Sequence, residues 1–119
     1  MRIFVLPEAA DEFEDAAHYY DEQEAGLGQR YRDEVDRHIR WIATHPDLPR
    51  IRPGGYRRVN LRVFPYYVAY VVHQQSIWIL SIAHGHRKPE YWIGRRLNLS
   101  QQDARPNDEE RDRPPIVSP

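Results

Sequence analysis

The chain has 119 residues, no cysteine and a formal net charge of −1. This length suits one domain with a single hydrophobic core, and the lack of cysteine excludes disulfides, thiolate metal sites and a cysteine nucleophile. Because no basic leader or membrane-length apolar run is present, we expect a cytoplasmic protein that does not bind membranes.

The first half of the chain is predicted to form a strand and a helical hairpin. Residues 2–6 read RIFVL, which is typical of a strand, and Pro7 then suits the first turn of a helix that stops at EAGLG. A second helix follows and ends at THPDLP. Its apolar stripe consists of Tyr31, Val35, Ile39 and Ile42.

The second half is predicted to be mostly strand. In YRRVNLRV, residues 56–63, apolar and polar residues alternate, so Val59, Leu61 and Val63 are expected on one face and Arg58, Asn60 and Arg62 on the other. The segments YYVAYVV and SIWILSIA are joined by the tight link HQQ. They are therefore expected to form an antiparallel hairpin.

These elements predict an α+β fold in the order β-α-α-β-β-β, with a last helical turn opened by Pro89. The helical hairpin is expected on one face of a small, largely antiparallel sheet. The other face is expected to be open, and we place Arg58 and Arg62 on it. Residues 1–97 form the predicted domain, and the polar residues 98–119 form a predicted flexible tail.

The net charge conceals a strong polarity between the two halves. Residues 1–49 contain five arginines against twelve acidic residues, a net of −7, whereas residues 50–97 contain nine basic residues against one glutamate, a net of +8. This polarity favours an anionic partner for the second half, either a nucleic acid or an acidic protein segment. The alternative is that the two halves neutralise each other within the fold.

Many of the candidate site residues lie in SIAHGHRKPEYWIGRR, residues 81–96. A metal site is the first interpretation, because His84 and His86 are two residues apart. Zinc takes four ligands, however, and Glu90 is the only nearby carboxylate, while the neighbouring basic side chains would repel a cation. We therefore predict neither a metal site nor a cofactor.

A second interpretation is cleavage of a phosphodiester bond in RNA. This reaction needs a base, an acid and cations that stabilise the developing charge. Histidine titrates near neutral pH, arginine binds phosphate through paired hydrogen bonds, and aromatic rings stack on bases. The residues that offer these functions are His84 or His86, then Arg58, Arg62 and Arg87, and finally Tyr91 or Trp92.

A third interpretation is a docking surface for an acidic, flexible peptide, because arginine and aromatic side chains are enriched at interface hot spots. The predicted surface consists of Arg57, Arg58, Arg62, His84, His86, Arg87, Lys88, Tyr91, Trp92, Arg95 and Arg96, with Tyr56 at its border. An alternative role for Trp92 is to hold the last helical turn on the sheet.

Three phrases of the chain together resemble the RelE/ParE superfamily of toxins from bacterial type II toxin–antitoxin modules. They are YYDEQEAGLGQRYRDEV, HPDLPRIRPGGYRRVNLRVFPYYVAYVV and IWILSIAHGHRKPEYW, and the resemblance spans about residues 2–96. It implies a small growth-inhibitory toxin that a cognate antitoxin wraps and neutralises. It also implies that operator DNA is contacted only through the antitoxin.

The superfamily contains two mechanisms. RelE-like members cleave mRNA on the ribosome, whereas ParE-like members are taken to inhibit DNA gyrase without catalysing a reaction. The last two phrases look more ParE-like, and the lysines of the cleaving type are missing, so we expect a gyrase inhibitor ahead of an endoribonuclease or an inert binding module. If the chain does cleave RNA, the resemblance assigns the reaction to Arg58, Arg62, His86, Arg87 and Tyr91.

Overall fold

The computed structural model describes residues 1–88 and 90–103, without the side chains of residues 90, 97, 98 and 100–103. Its elements follow the predicted order, and the predicted α+β fold is confirmed. They are β1 (Arg2–Val5), α1 (Pro7–Gln23), α2 (Leu27–Thr44), β2 (Arg57–Asn60), β3 (Tyr66–His73), β4 (Ser76–His84) and α3 (Glu90–Asp103).

The four strands form one mixed sheet in the order β1-β4-β3-β2. β1 runs parallel to β4, and the other two pairs are antiparallel, as predicted for a largely antiparallel sheet. The predicted hairpin of β3 and β4 turns at Gln74 and Gln75, whose φ values are 49° and 63°. Two consecutive residues with positive φ are typical of the type I′ turn, whose twist matches that of paired strands.

α1 and α2 form a hairpin that covers one face of the sheet. Gly26 precedes α2 with a φ of 87°, and Gly28 lies so close to α1 that a Cβ there would stand 2.4 Å from the carbonyl oxygen of Ala17. The predicted stripe of α2 is buried. It packs with the apolar side chains of the sheet, which include Val5, Val68, Tyr70, Ile77, Ile79 and Ile82.

The opposite face of the sheet is covered in part by α3, so the prediction of an open face is wrong. Trp92 is fully buried and Leu99 is 3 % exposed. Both belong to a second apolar cluster with Tyr56, Tyr67, Ala69, Val71, Leu80 and Ala83. Trp92 and Leu99 are seven residues apart, and most residues of α3 are polar, so the sequence of α3 shows only weak helical periodicity.

α3 runs to Asp103, beyond the predicted boundary between domain and tail at residue 97. Because Leu99 is part of the buried cluster, the structured region does not end at that boundary. Pro89, which we expected to open the helix, and residues 104–119 of the predicted tail lie outside the described residues. No helix within the ranges 1–88 and 90–103 is long and apolar enough to cross a membrane.

β2 ends at Asn60, before the alternation of apolar and polar residues ends. The chain then bends, so that Val63 is 69 % exposed and the exposed Arg62 lies in the bend. The predictions of an inward Val63 and of Arg62 on the sheet are both wrong. The carboxylate of the buried Glu34 accepts hydrogen bonds from the amides of Arg62 and Val63, and so replaces the partner that a continuing strand would need.

Replacing Trp92 by alanine should lower the free energy of unfolding by about 3 to 5 kcal/mol, because a fully buried indole is removed and a cavity is left. Denaturant unfolding followed by circular dichroism measures this loss. Trp41→Ala is the matched control, since Trp41 is 37 % exposed, and it should cost less than about 1 kcal/mol. Equal losses in the two variants would contradict the burial of Trp92 under α3.

Candidate functional site

Two of the arginines predicted to bind a partner are held by the protein's own acceptors. Arg57 donates to the carbonyl oxygen of Asp47 at 2.9 Å, and its guanidinium lies 3.6 Å from the carboxylate of the same residue. Arg96 donates from Nε to the carbonyl oxygen of Gly55 at 3.1 Å. Arg57 therefore links β2 to the loop that follows α2, and Arg96 links α3 to the loop that precedes β2.

A third such arginine, Arg95, binds at an irregularity in β4. The pairing of β4 with β3 passes over Leu80, which forms a β-bulge. The carbonyl oxygen of Leu80 accepts a hydrogen bond from Arg95 at 2.8 Å, and the amide of Ile82 donates to Glu12 of α1 at 3.1 Å. These two side chains satisfy backbone groups of β4 that lie beyond the end of β1.

The carboxylate of Glu12 accepts hydrogen bonds from four donor groups. It accepts two hydrogen bonds from Arg95, at 3.2 and 3.1 Å. It also accepts one from the hydroxyl of Ser81 at 2.8 Å, besides the bond from the amide of Ile82. Bidentate, charge-assisted hydrogen bonds of this kind are the strong ones in proteins, so Arg95 acts as a bridge between α3 and α1.

Trp92 does not lie at the surface, and the prediction that it contacts a partner is wrong in this structure. Its Nε1 donates to the hydroxyl of Tyr67 at 3.0 Å. Its ring meets that of Tyr56 edge to face, with centroids 4.6 Å apart. The contacts agree with the alternative role of Trp92, which is to hold α3 on the sheet.

Apart from Arg62, the exposed part of the predicted surface lies at the turn between β4 and α3. We call it the turn cluster, and it consists of His84, His86, Arg87, Lys88 and Tyr91. Three of its members, His86, Arg87 and Lys88, are exposed, and Tyr91 is 37 % exposed. The guanidinium carbon of Arg87 lies 4.2 Å from the ring centroid of Tyr91, which is cation–π geometry.

Local contacts determine the chemistry of the turn cluster. The backbone amide of His86 donates to Nδ1 of His84 at 3.1 Å, so that this nitrogen acts as an acceptor. Burial raises the pKa of the Tyr91 phenol, which keeps its proton at neutral pH. No group of three or more His, Cys, Asp or Glu residues in the described part of the chain is arranged to hold a metal ion.

Arg58 lies apart from the turn cluster, on β2, with β3 between it and β4. Its guanidinium carbon lies 4.3 Å from the ring centroid of Tyr67. Its Nε is buried and has no hydrogen-bond partner among the residues that the structure describes. The structure therefore distributes the candidate RNA-cleaving residues over β2, the bend that holds Arg62, and the turn cluster.

Sequence reasoning missed Arg52, which lies in the loop before β2. This side chain is partly buried, and its pKa is lowered by burial and by the positive charges of Arg58 and Arg50. The only signal in the sequence is the run RIRPG, which places two arginines in a loop without periodicity. Glu12 and Glu34 were also missed, although each lies close to the apolar stripe of its helix.

The fold and the site define a small α+β protein whose helical hairpin packs on a mixed sheet and whose last strand leads into a basic, aromatic turn. A solved structure with the same fold is the chromosomal ParDE toxin–antitoxin system from P. aeruginosa. The likeness has a TM-score of 0.54 and 18 % sequence identity, and it covers 71 % of this chain and 95 % of that one. No curated protein sequence matches the chain.

The family model that matches is that of the ParE toxin of the type II toxin–antitoxin system parDE, over residues 3–89. This match spans most of the chain, and the chain belongs to the ParE toxin family. The resemblance stated from the sequence is thereby confirmed, including its preference for the ParE-like branch.

Replacing Arg95 by glutamine should lower the free energy of unfolding by about 1.5 to 3 kcal/mol, because it removes charge-assisted bonds to Glu12 and leaves the carbonyl of Leu80 without its donor. Thermal melting measures the loss. Arg87→Gln is the control, since Arg87 is exposed, and it should change stability by less than about 0.5 kcal/mol. An Arg95 variant as stable as the control would refute the bridge.

Proposed function

We propose that the protein is the growth-inhibitory toxin of a type II toxin–antitoxin module, that a cognate antitoxin neutralises it, and that its target in the cytoplasm is DNA gyrase. Membership of the ParE toxin family, through residues 3–89, is the observation that carries this proposal. The fold shared with a chromosomal ParDE system agrees with it. Operator DNA is reached only through the antitoxin.

The turn cluster supports an acidic partner. Arg87 and Lys88 are exposed there, and no described carboxylate forms an ion pair with either. Beside them, Tyr91 offers a partly exposed aromatic ring that contacts the guanidinium of Arg87. Exposed cations speed the association of an oppositely charged partner, and a tyrosine anchors it at low entropic cost.

The family match supports inhibition by binding rather than RNA cleavage, because it is to the ParE branch. Cleavage requires an acid, a base and cations within hydrogen-bonding distance of one phosphodiester group. Here Arg58 lies on β2, whereas the bend that holds Arg62 is joined to the turn that holds His86 by a hydrogen bond from the amide of Gly85 to the carbonyl of Pro65 at 2.8 Å. A toxin that acts by contact with its target needs no such acid and base.

Induction of the toxin without antitoxin should stop growth and cause DNA breaks and an SOS response while transcripts stay intact, because a gyrase inhibitor damages DNA and leaves mRNA untouched. Simultaneous induction of the antitoxin should restore growth. Transcript ends and DNA breaks are measured in the same culture.

Two other outcomes would contradict the gyrase proposal. Codon-positioned mRNA cuts in a translating extract that disappear in His86→Ala or Arg58→Ala would identify an endoribonuclease. Unimpaired growth would identify an inert binding module.

Reversing two charges of the turn cluster, with Arg87→Glu and Lys88→Glu together, should lower the association rate with the antitoxin about tenfold and weaken its dependence on salt. Surface plasmon resonance at several salt concentrations measures both. The matched control is the double variant Arg37→Glu and Arg40→Glu on α2, which changes the net charge equally at exposed positions. Equal effects in the two double variants would assign the change to net charge and not to the turn cluster.

A further inference from the structure

Three arginines lie close together on β2 and in the loop that precedes it. We call them the loop arginines: Arg50, Arg52 and Arg58. Arg58 extends over the ring of Tyr67, and within the described ranges its buried Nε has no hydrogen-bond partner. Arg52 is partly buried and close enough to Arg58 and Arg50 for their charges to lower its pKa. Its backbone is held by a hydrogen bond from its amide to the carbonyl of Tyr56 at 2.7 Å.

The loop arginines differ from the other packed arginines of the fold. Three arginines elsewhere each form an ion pair: Arg32 with Glu14 at 2.9 Å, Arg57 with Asp47 at 3.6 Å and Arg95 with Glu12 at 3.1 Å. Among the described residues, no carboxylate pairs with a loop arginine. The loop arginines are therefore an unneutralised group of cations, part of which is withdrawn from water.

The repulsion between these arginines raises the free energy of the isolated folded protein. Arginine stays protonated in proteins, so Arg52 and Arg58 cannot relieve their repulsion by losing a proton. An anion bound between them would offset the repulsion and accept hydrogen bonds from their guanidinium groups. The stacking of Arg58 on Tyr67 holds that side chain in place before any anion arrives, and the backbone pairing of Arg52 with Tyr56 fixes the backbone from which Arg52 extends.

A single carboxylate fits this site better than a nucleic acid does. A nucleic acid carries a charge at every phosphate and requires a continuous row of free cations. Two other basic side chains of this region, Arg57 and Arg96, already donate to carbonyl oxygens of the protein. The site therefore offers the guanidinium groups of the three loop arginines, a compact group of charges that suits one acidic side chain.

We infer that a glutamate or aspartate side chain of the antitoxin binds between the guanidinium groups of Arg52 and Arg58. This inference rests on the proposed toxin–antitoxin function. It adds to the antitoxin interface a second anchor, on β2 and its preceding loop, that lies apart from the turn cluster.

Isothermal titration calorimetry of the full-length toxin with the purified cognate antitoxin tests the inference. Arg52→Gln and Arg58→Gln should each weaken binding on the order of 10- to 100-fold, because each loses a charge-assisted hydrogen bond to the carboxylate. Arg40→Gln on the exposed face of α2 is the matched control and should bind like the wild type. In antitoxins with each acidic residue changed singly to its amide, one substitution should cause no further loss when combined with Arg52→Gln.

Thermal melting of the free variants separates binding from folding. Arg52→Gln should melt at or above the wild-type temperature, because it removes a repulsion. Weaker binding with a melting temperature lowered in both variants would assign the arginines to the fold and overturn the inference. A single-stranded RNA oligonucleotide that binds the wild type but not these variants, with antitoxin affinity unchanged, would overturn it in favour of a phosphate site.

The same titration separates the two proposals. If the wild-type toxin does not bind the antitoxin, the proposed function fails. If the wild type binds and both glutamine variants bind equally well, the function stands and the carboxylate site is refuted.

Discussion

The hydrogen bonds of the Glu12 carboxylate join the helical hairpin, the sheet and α3 to one another. β1 pairs with β4 only as far as Val5 and Ile79, so the later residues of β4 lose their neighbour on that side. Glu12 reaches this edge from α1, accepts the amide of Ile82, and binds Arg95, which in turn donates to the carbonyl of Leu80. An exposed edge with unsatisfied amides invites pairing with other chains, and here two side chains close it.

Most of the fold could be predicted because its elements have strong local patterns. The stripe of α2 repeats at helical spacing, and the apolar segments of β3 and β4 flank a two-residue turn. The end of β2 could not be predicted, because the bend after it depends on Glu34, which is distant in sequence. The bulge at Leu80 was hidden for another reason, since both faces of β4 are buried and a continuous apolar run does not reveal register.

The sequence predicted the positive charge of the candidate site, but it did not show which of the arginines are already paired within the fold. The basic excess of residues 50–97 is real, yet Arg95 pairs with Glu12 and Arg57 pairs with Asp47, both from the acidic half. The interpretation that the two halves neutralise each other is therefore correct for these arginines. The anionic partner stays a prediction for the cations that no described carboxylate neutralises. Arg52 was missed because nothing in the sequence of its loop indicates that Arg58 lies beside it.

The parallel pairing of β1 with β4 sets an order for the folding of the chain during synthesis. The residues of β1 are made first, but β4, their neighbour in the sheet, lies more than seventy positions later in the sequence. The helical hairpin and the β3–β4 hairpin need only nearby residues, so they can form while the chain is still growing. The complete sheet, and the contact of Glu12 with Ser81, require translation to pass β4. Until β4 has been synthesised, β1 has no strand to pair with, and the sheet of the nascent chain stays incomplete.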